Sequence, residues 1–336
     1  MTKQEKSRKA VVVSKAGGPE VLEVKEVAKP QVKTGWSLVK IKGFGINHSE
    51  IFTRQGLSPS VVFPRILGIE LVGVIEDTTE PDRLPVGQRV VSIMGELGRA
   101  FDGGYAEYAL VPNRTLYPVQ TDLGWAELAS VPETYYTAYG SMKNLKLEAA
   151  DRILVRAGAS GVGQGFVKLV RSKFPDLPIY ASVRNLEKTD QLLASGFSQV
   201  ILEKDGRLQT DQTFSKIFEL VGPATLSDSL AHLEEGGIIC STGQLGGKWY
   251  LEDFDPIEQL RKNVYLTTFY SNNVNQDKLQ EMFDYIAHYQ VPVGPEKVFS
   301  LDTIQEAHRY LEGPEAFGKV IVLNGEKDDD RTTKTQ

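Results

Sequence analysis

The stretch RILVRAGASGVGQGFVKLV, Arg152 to Val170, decides how the rest of the chain is read. It starts as a strand of β-branched residues and passes through a glycine-rich turn. It continues as a segment in which Val162, Phe166, Val167, Leu169 and Val170 recur at helical spacing. Strand, glycine turn and helix in that order set a dinucleotide pyrophosphate against a helix N-terminus, where free N–H groups and the helix dipole favour an anion. Three glycines usually serve such a turn: one for the sharp bend, one for close backbone approach to the phosphate, one for close packing of helix on strand. Here those places fall on Gly158, Ser160 and Gly163, with Gly161 and Val162 between the last two. Serine still permits a close approach, and its hydroxyl is a further donor. The turn is read as a dinucleotide cradle; the structural alternative is a plain tight corner.

The next strand addresses which dinucleotide is held. An NAD-binding turn usually has Asp or Glu about 20 residues on, bonded to the ribose 2′-OH. The end of IYASVRN offers Ser182 and Arg184 instead, and Lys188 follows. A carboxylate would repel a 2′-phosphate, whereas a hydroxyl and two cations would hold it. NADPH is therefore expected. The alternative is that Arg184 and Lys188 are ordinary surface charges at a helix start.

Upstream of the turn, the first ~125 residues read as short strands separated by Gly and Pro: KAVVVSK, EVLEVKEV, SLVKIKGFG, LVGVIED, QRVVSIM and YAEYALV. That pattern suits a barrel-like β domain. WAELASVPETYYTAYGSMKNL then reads as helix, bent near Pro132. Strands and helices alternate from there: IYASV, the helix EKTDQLLASG, SQVIL, KIFELVG, the helix ATLSDSLAHLEEGG and the strand GIICSTG. Such alternation means βαβ units and a parallel sheet. After Ser271 come an Asn-rich turn, two helices, the strand GKVIVLN and a tail, GEKDDDRTTKTQ, expected to be disordered.

The bulk properties agree with this division. A chain of 336 residues suggests about two domains. A net charge of −6 argues against a general nucleic-acid role. No stretch approaches the ~20 apolar residues of a membrane helix. The opening MTKQEKSRKA lacks the apolar stretch of a signal peptide, so the expected location is cytoplasmic. The single cysteine, Cys240, excludes an intrachain disulfide and sits in a segment that reads as a buried strand. Catalytic zinc usually needs three Cys, His or carboxylate ligands. Of the four histidines, His232, His288 and His308 fall on helix-patterned segments, and only His48 lies in a polar, loop-like cluster.

With these motifs in view, nearly the whole chain resembles the medium-chain dehydrogenase/reductase superfamily, and most closely its zinc-free quinone oxidoreductase branch, which includes zeta-crystallin. GFGINHSE, FPRILGIELVGVI, PVGQRVV, GGYAEYALVP, TAYGSM and AGASGVG carry the resemblance. It implies an α/β fold in which a split GroES-like β-barrel catalytic domain surrounds an inserted Rossmann domain with a doubly wound parallel sheet. The expected boundaries are 1–126 with 271–336 for the first and 127–270 for the second. In zinc-dependent relatives the ligand positions match Asn47, Ile69 (in Gly68-Ile69-Glu70) and a place near Glu133, so no bound metal is expected. The four-cysteine structural lobe is missing as well. The resemblance further implies an active-site role for Asn47, a cofactor contact at Thr137, and a loop with Gly243 near the nicotinamide. Two family tyrosines are replaced by Phe52 and Ser58, which leaves His48, Tyr135, Tyr136 or water as the proton source. It also implies a homodimer, or a higher even oligomer, paired through sheet edges near GIICSTG.

Without zinc, alcohol oxidation lacks its Lewis acid, whereas hydride donation to an already conjugated acceptor does not need one. The expectation is an NADPH-dependent reductase of quinones or α,β-unsaturated carbonyls, with Asn47 facing the oxygen that gains charge. An Asx-type turn is the plain alternative for Asn47. The competing functions are an enoyl-thioester reductase and a catalytically weak NADPH-binding sensor.

Overall fold

The computed structural model describes residues 7–325, which leaves the expected tail, apart from Gly325, outside the described residues. The chain divides into two compact units, one of 1–133, 272–284 and 293–336, the other of 134–271 and 285–292.

The first stretch of chain forms β1 (Ser7–Val13), β2 (Leu22–Ala28), β3 (Trp36–Gly45), α1 (His48–Arg54), β4 (Arg65–Ile66), β5 (Glu70–Thr78), β6 (Arg89–Ile93), β7 (Tyr108–Pro112) and β8 (Tyr117–Pro118). The helix expected over 125–145 is broken in two, α2 (Trp125–Ser130) and α3 (Pro132–Leu145). The break falls at Pro132, which has no N–H to continue the first helix and suits the first position of the second. There follow β9 (Ile153–Val155), α4 (Gly161–Lys173), β10 (Ile179–Val183), α5 (Thr189–Ala194), β11 (Gln199–Lys204), β12 (Arg207–Leu208), β13 (Phe214–Glu219), α6 (Leu226–Ala231), β14 (Leu233–Ser241), α7 (Pro256–Gln259) and β15 (Tyr265–Thr267). The chain ends in α8 (Gln276–His288), β16 (Lys297–Ser300), α9 (Ile304–Glu312) and β17 (Val320–Leu323).

In the first unit β16, β17, β3, β5, β6 and β8 lie side by side, β7 also pairs with β3, and β2-β1-β4 form a smaller sheet. β17 pairs antiparallel with β3, matching Ile321 to Gly45. One core joins the early strands (Val11, Val39, Ile41, Leu71, Val90) to Ile304, Ala307, Val320 and Val322 from the C-terminal segment. The late segment is thus an integral part of the first unit's core.

In the second unit the order is β12-β11-β10-β9-β13-β14-β15. β9, β10, β11, β13, β14 and β15 are mutually parallel, and β12 adds antiparallel at one edge. The strand order reverses beside β9, which is where open α/β sheets bind ligands, outside the carboxyl ends of the strands. The glycine-rich turn leaves the carboxyl end of β9. Its core is aliphatic and aromatic, including Leu154, Ile201, Phe214, Ile217 and Ile239.

Two elements differ from expectation: His48, read as part of a loop-like cluster, opens the helix α1, and the segment before β14 is shorter as helix than its spacing suggests. ATLSDSLAHLEEGG is helical only through Ala231, and β14 already starts at Leu233. Gly236 takes φ 72°, outside the helical range, and the pairing of β13 with β14 shifts register between Phe214 and Lys216. The two glycines form an irregularity within a strand rather than a helix stop.

Candidate functional site

The cradle is built by local rules. Ala157 sits at φ 57°, a left-handed conformation that a non-glycine residue adopts only under constraint. Ser160 is the N-cap of α4, and its Oγ accepts the N–H of Gly163 at 3.1 Å. Gln164 Nε2 donates to the Gly158 carbonyl at 2.9 Å and pins the turn from inside. The first N–H groups of a helix have no partner within it. Ser160 takes that of Gly163, which leaves the N–H groups of Gly161 and Val162 without a partner inside the helix. A Cβ on Gly158 would lie 2.6 Å from Ala181 Cβ, and one on Gly163 would lie 2.8 Å from the Ala157 carbonyl oxygen. Both positions exclude a side chain, and these residues fit a bound dinucleotide.

Past β10 the expected trio separates. Ser182 is fully buried, and its Oγ donates to Glu203 Oε2 at 3.1 Å. The expectation that this hydroxyl faces a phosphate is corrected: Ser182 lies within the sheet, and its hydroxyl serves the buried carboxylate on the next strand. Arg184 is exposed and Lys188 half-buried. Burial holds the Lys188 ammonium below its usual range, and the nearby Arg184 charge lowers it further. Two cations close enough to repel one another are relieved by an anion between them.

Behind the cradle lies a buried charge network. Arg156, the first residue after β9, is fully buried. Its Nη1 is 2.8 Å from Asp228 Oδ2, its Nε 3.2 Å from Glu203 Oε2, and its Nη2 donates to the Gly206 carbonyl. Glu219 Oε1 accepts the N–H groups of Val221 and Gly222 at 2.8 and 3.1 Å, and its carbonyl accepts those of Thr242 and Gly243. Two loops at the carboxyl ends of β13 and β14 are thereby tied together. A Cβ on Gly243 would overlap the Leu220 backbone, so the loop needs glycine there. Thr137, Tyr135 and Tyr136 are all buried on α3. Burial pushes the Tyr135 phenol well up, and Tyr136 packs edge-to-face on Phe269. Both side chains lie in the core of this unit.

The first unit holds a second cluster. Asn47 is the N-cap of α1 but makes no side-chain cap bond. The Asx-turn alternative is therefore not what its side chain does. Asn47 Oδ1 accepts from Lys319 Nζ at 2.8 Å, and its Nδ2 donates to Glu70 Oε1 at 2.9 Å. Lys319 Nζ also reaches Glu70 Oε1 at 2.6 Å. Glu70 Oε2 accepts the Glu133 backbone N–H at 2.7 Å. Glu50 Oε1 accepts the Ile69 N–H at 3.1 Å and lies 3.5 Å from Asn47 Nδ2. Burial pushes the Glu50 carboxyl up to about 7, with the Ile69 N–H opposing, Glu70 adding and Lys319 opposing. His48, half-buried, opens α1 beside this cluster, its ring 6.4 Å from that of Phe52.

Sequence reasoning named Asn47 and missed Lys319 and Glu50. The signal for Lys319 was present: a single charge leading into the apolar run VIVL. Of the three positions that the resemblance matches to zinc ligands, Asn47 is bonded to this ammonium, the Glu133 N–H meets the Glu70 carboxylate and the Ile69 N–H meets Glu50. Among the described residues, no group of three or more His, Cys, Asp or Glu side chains is placed to hold a metal ion. Cys240 is buried, and burial raises its thiol, which disfavours the thiolate and suits a core residue.

Known proteins agree with both halves. Residues 33–121 match the family described as alcohol dehydrogenase GroES-like domain, and 195–322 match the one described as zinc-binding dehydrogenase. The quinone oxidoreductase of Homo sapiens is 27% identical over 345 residues, covering 96% of this chain and all of that protein. A mycobacterial structure, Rv1454c complexed with NADPH, superposes with a TM-score of 0.79 at 25% identity, covering 95% of this chain and all of that one. The Bacillus subtilis protein yhfP with NAD bound gives a TM-score of 0.82 at 24% identity, covering 95% and 99% of the two chains.

Proposed function

This chain belongs to the medium-chain dehydrogenase/reductase superfamily, in its quinone oxidoreductase branch, and on that premise we propose that it is an NADPH-dependent reductase acting on quinones or α,β-unsaturated carbonyls without zinc. NADPH, when bound, supplies the hydride. Gly158, Ser160, Gly161, Val162 and Gly163 hold its pyrophosphate, and Arg184 and Lys188 its 2′-phosphate. Thr137 and the loop of Gly243 would contact its nicotinamide. The observation that supports the zinc-free reading is the buried ammonium of Lys319, bonded to Glu70 and to Asn47, the latter a position that the resemblance matches to a zinc ligand. Conjugation already makes the acceptor carbon electrophilic, so hydride transfer to it needs no Lewis acid. His48 or water completes the product with a proton.

NADPH consumption over a panel of quinones and enones, in chelator, tests this reading. Turnover with NADPH and a far weaker response to NADH is the expected result. Binding of NADPH with no turnover on any acceptor would leave a sensor instead.

A homodimer is part of the same proposal. The resemblance pointed to the edge near β14, but β15 covers that strand and is itself the sheet's last member. Tyr265 and Leu266 on it are exposed. Pairing of two such edges gives a closed two-fold dimer and hides an open strand. A cytoplasmic setting, where NADPH is supplied, completes the proposal; no helix among the described residues is long and apolar enough to cross a membrane.

A further inference from the structure

We propose that the first unit carries a binding site for a phosphate group, formed by the guanidiniums of Arg8 and Arg65 beside Asp102. Arg8 is the second residue of β1, matched to Val27 of β2, and only 6% of it is exposed. Its Nε and Nη1 are buried and have no hydrogen-bond partner among the described residues. Buried polar groups are nearly always satisfied, so an exception calls for a cause. Arginine has five N–H donors and stays charged, so it cannot shed its proton as a buried lysine does. Burial disfavours the Arg8 charge, and the acid that opposes this is Asp102.

Asp102 is engaged elsewhere. Its Oδ1 accepts Arg65 Nη1 and the Ile66 N–H, each at 3.2 Å. Its side chain is 47% exposed, so water screens much of its charge. Arg65 opens β4, on the edge of β1 opposite β2, and its Nε is also buried without an acceptor. Two cations therefore share one half-solvated carboxylate, and three of their nitrogens bond nothing. Arg54, in the same unit, shows what a closed arginine looks like. It is fully buried too, but Glu312 takes Nη1 and Nη2 at 2.9 and 2.7 Å, and the Gly17 carbonyl takes Nε. Arg8 has no such carboxylate.

A phosphate group supplies what is missing. Guanidinium forks match its oxygens two at a time, and three oxygens can serve two forks where a carboxylate has oxygens for one. Its charge offsets the positive charge that Asp102 leaves over. The exposed part of Arg8 and the 19% of the Arg65 side chain that reaches solvent give the ligand its way in. Small rotations of two long side chains then bring the idle nitrogens to it. Binding ties β1, β4 and the loop of Asp102 together, and so stabilises the folded chain by mass action.

Isothermal titration with inorganic phosphate, against chloride at equal ionic strength, tests this. The parent chain carries Arg184→Ala/Lys188→Ala, which removes the cations proposed for the cofactor and leaves Arg8 and Arg65 in place. Phosphate held at the dinucleotide turn does not depend on Arg8, so adding Arg8→Met isolates the site. The parent should take up one phosphate that Arg8→Met weakens about tenfold or more, the loss of a charged hydrogen bond. Arg65→Met should weaken it as well, and Asp102→Asn, which removes a competing negative charge, should strengthen it. The unfolding temperature of the parent should climb with phosphate, and that of Arg8→Met should climb less. Without phosphate, Arg8→Met should unfold no earlier than its parent, because an unpaired buried cation has gone. Phenyl phosphate separates the two sources of the group: uptake equal to that of phosphate assigns a monoester, and its exclusion assigns the free ion. No saturable uptake by the parent, equal uptake with and without Arg8, or earlier unfolding of Arg8→Met in phosphate-free buffer overturns the proposal.

Discussion

At position 45 a single methyl group would intrude on the Lys319 ammonium and the Glu70 carboxylate at once. Gly45→Ala should therefore lower stability by about 1–3 kcal/mol, the usual range for overpacking a closed core. Thermal unfolding reads this directly, and a change within 1 °C of wild type would show that the cluster has slack. Asn47→Ala frees Lys319 from one of its two anchors. It should cut turnover tenfold or more, about 1.4 kcal/mol or above in the barrier, while NADPH affinity holds; an unchanged kcat would reduce Asn47 to packing. Asn47 was legible in the sequence because GFGINHSE is a local pattern with a matched position in relatives. Lys319 lies 272 residues further on, and only the pairing of β17 with β3 brings it to Asn47. Its role depends on a tertiary contact that no local spacing encodes. Ser182 failed for the complementary reason: its type suited a phosphate, but strand alternation turned it inward to Glu203.

The turn between β9 and α4 is the element most fully readable from the chain, since capping, glycine placement and helical periodicity are all local. The cation pair just past β10 carries the cofactor choice. Arg184→Ala should raise KM for NADPH by roughly 10- to 150-fold, the equivalent of a charged hydrogen bond of about 1.5–3 kcal/mol, and leave NADH nearly unchanged. Equal effects on both cofactors would move the 2′-phosphate elsewhere. Arg156 is the opposite case. RILVRAG reads as a plain strand, yet the arginine is fully buried among Glu203, Asp228 and Glu219. Arg156→Met should destabilise the second unit by about 3–5 kcal/mol because it leaves buried carboxylates without their cation. Denaturant unfolding followed by intrinsic fluorescence measures it, and a loss below 1 kcal/mol would mean that water reaches those carboxylates. The boundary of α6 and β14 was misread because LSDSLAHLEEG keeps helical spacing past the point where pairing with β13 takes over.

For the molecule as a whole, two buried groups set opposing pH slopes. His308 is fully buried between Arg54 and Tyr105. Burial, then the Arg54 charge and that of His48, push it down from 6.5 to about 3. Unfolding lets it take a proton, so it lowers stability as pH falls from 6.5 toward 3. Glu50 is raised from 4.5 to about 7, so folded chains keep a proton that unfolded chains release, and stability falls as pH rises through that window. Each slope is about 1.4 kcal/mol per pH unit, and the two cancel where the windows overlap. Glu50→Gln should therefore raise the unfolding temperature more at pH 8 than at pH 5, and an equal shift at both would place Glu50 in contact with water. The proposed dimer should appear in light scattering at micromolar concentration, and Tyr265→Asp on β15 should yield monomer; a wild-type monomer would remove the edge-pairing argument. The most direct measurement of the central claim remains steady-state NADPH oxidation by chelator-treated protein with a quinone or enone, alongside metal analysis of the same sample. The account predicts turnover that chelation leaves intact, zinc well below one per chain, and a clear preference for NADPH over NADH. Activity lost on chelation and regained with zinc would contradict it.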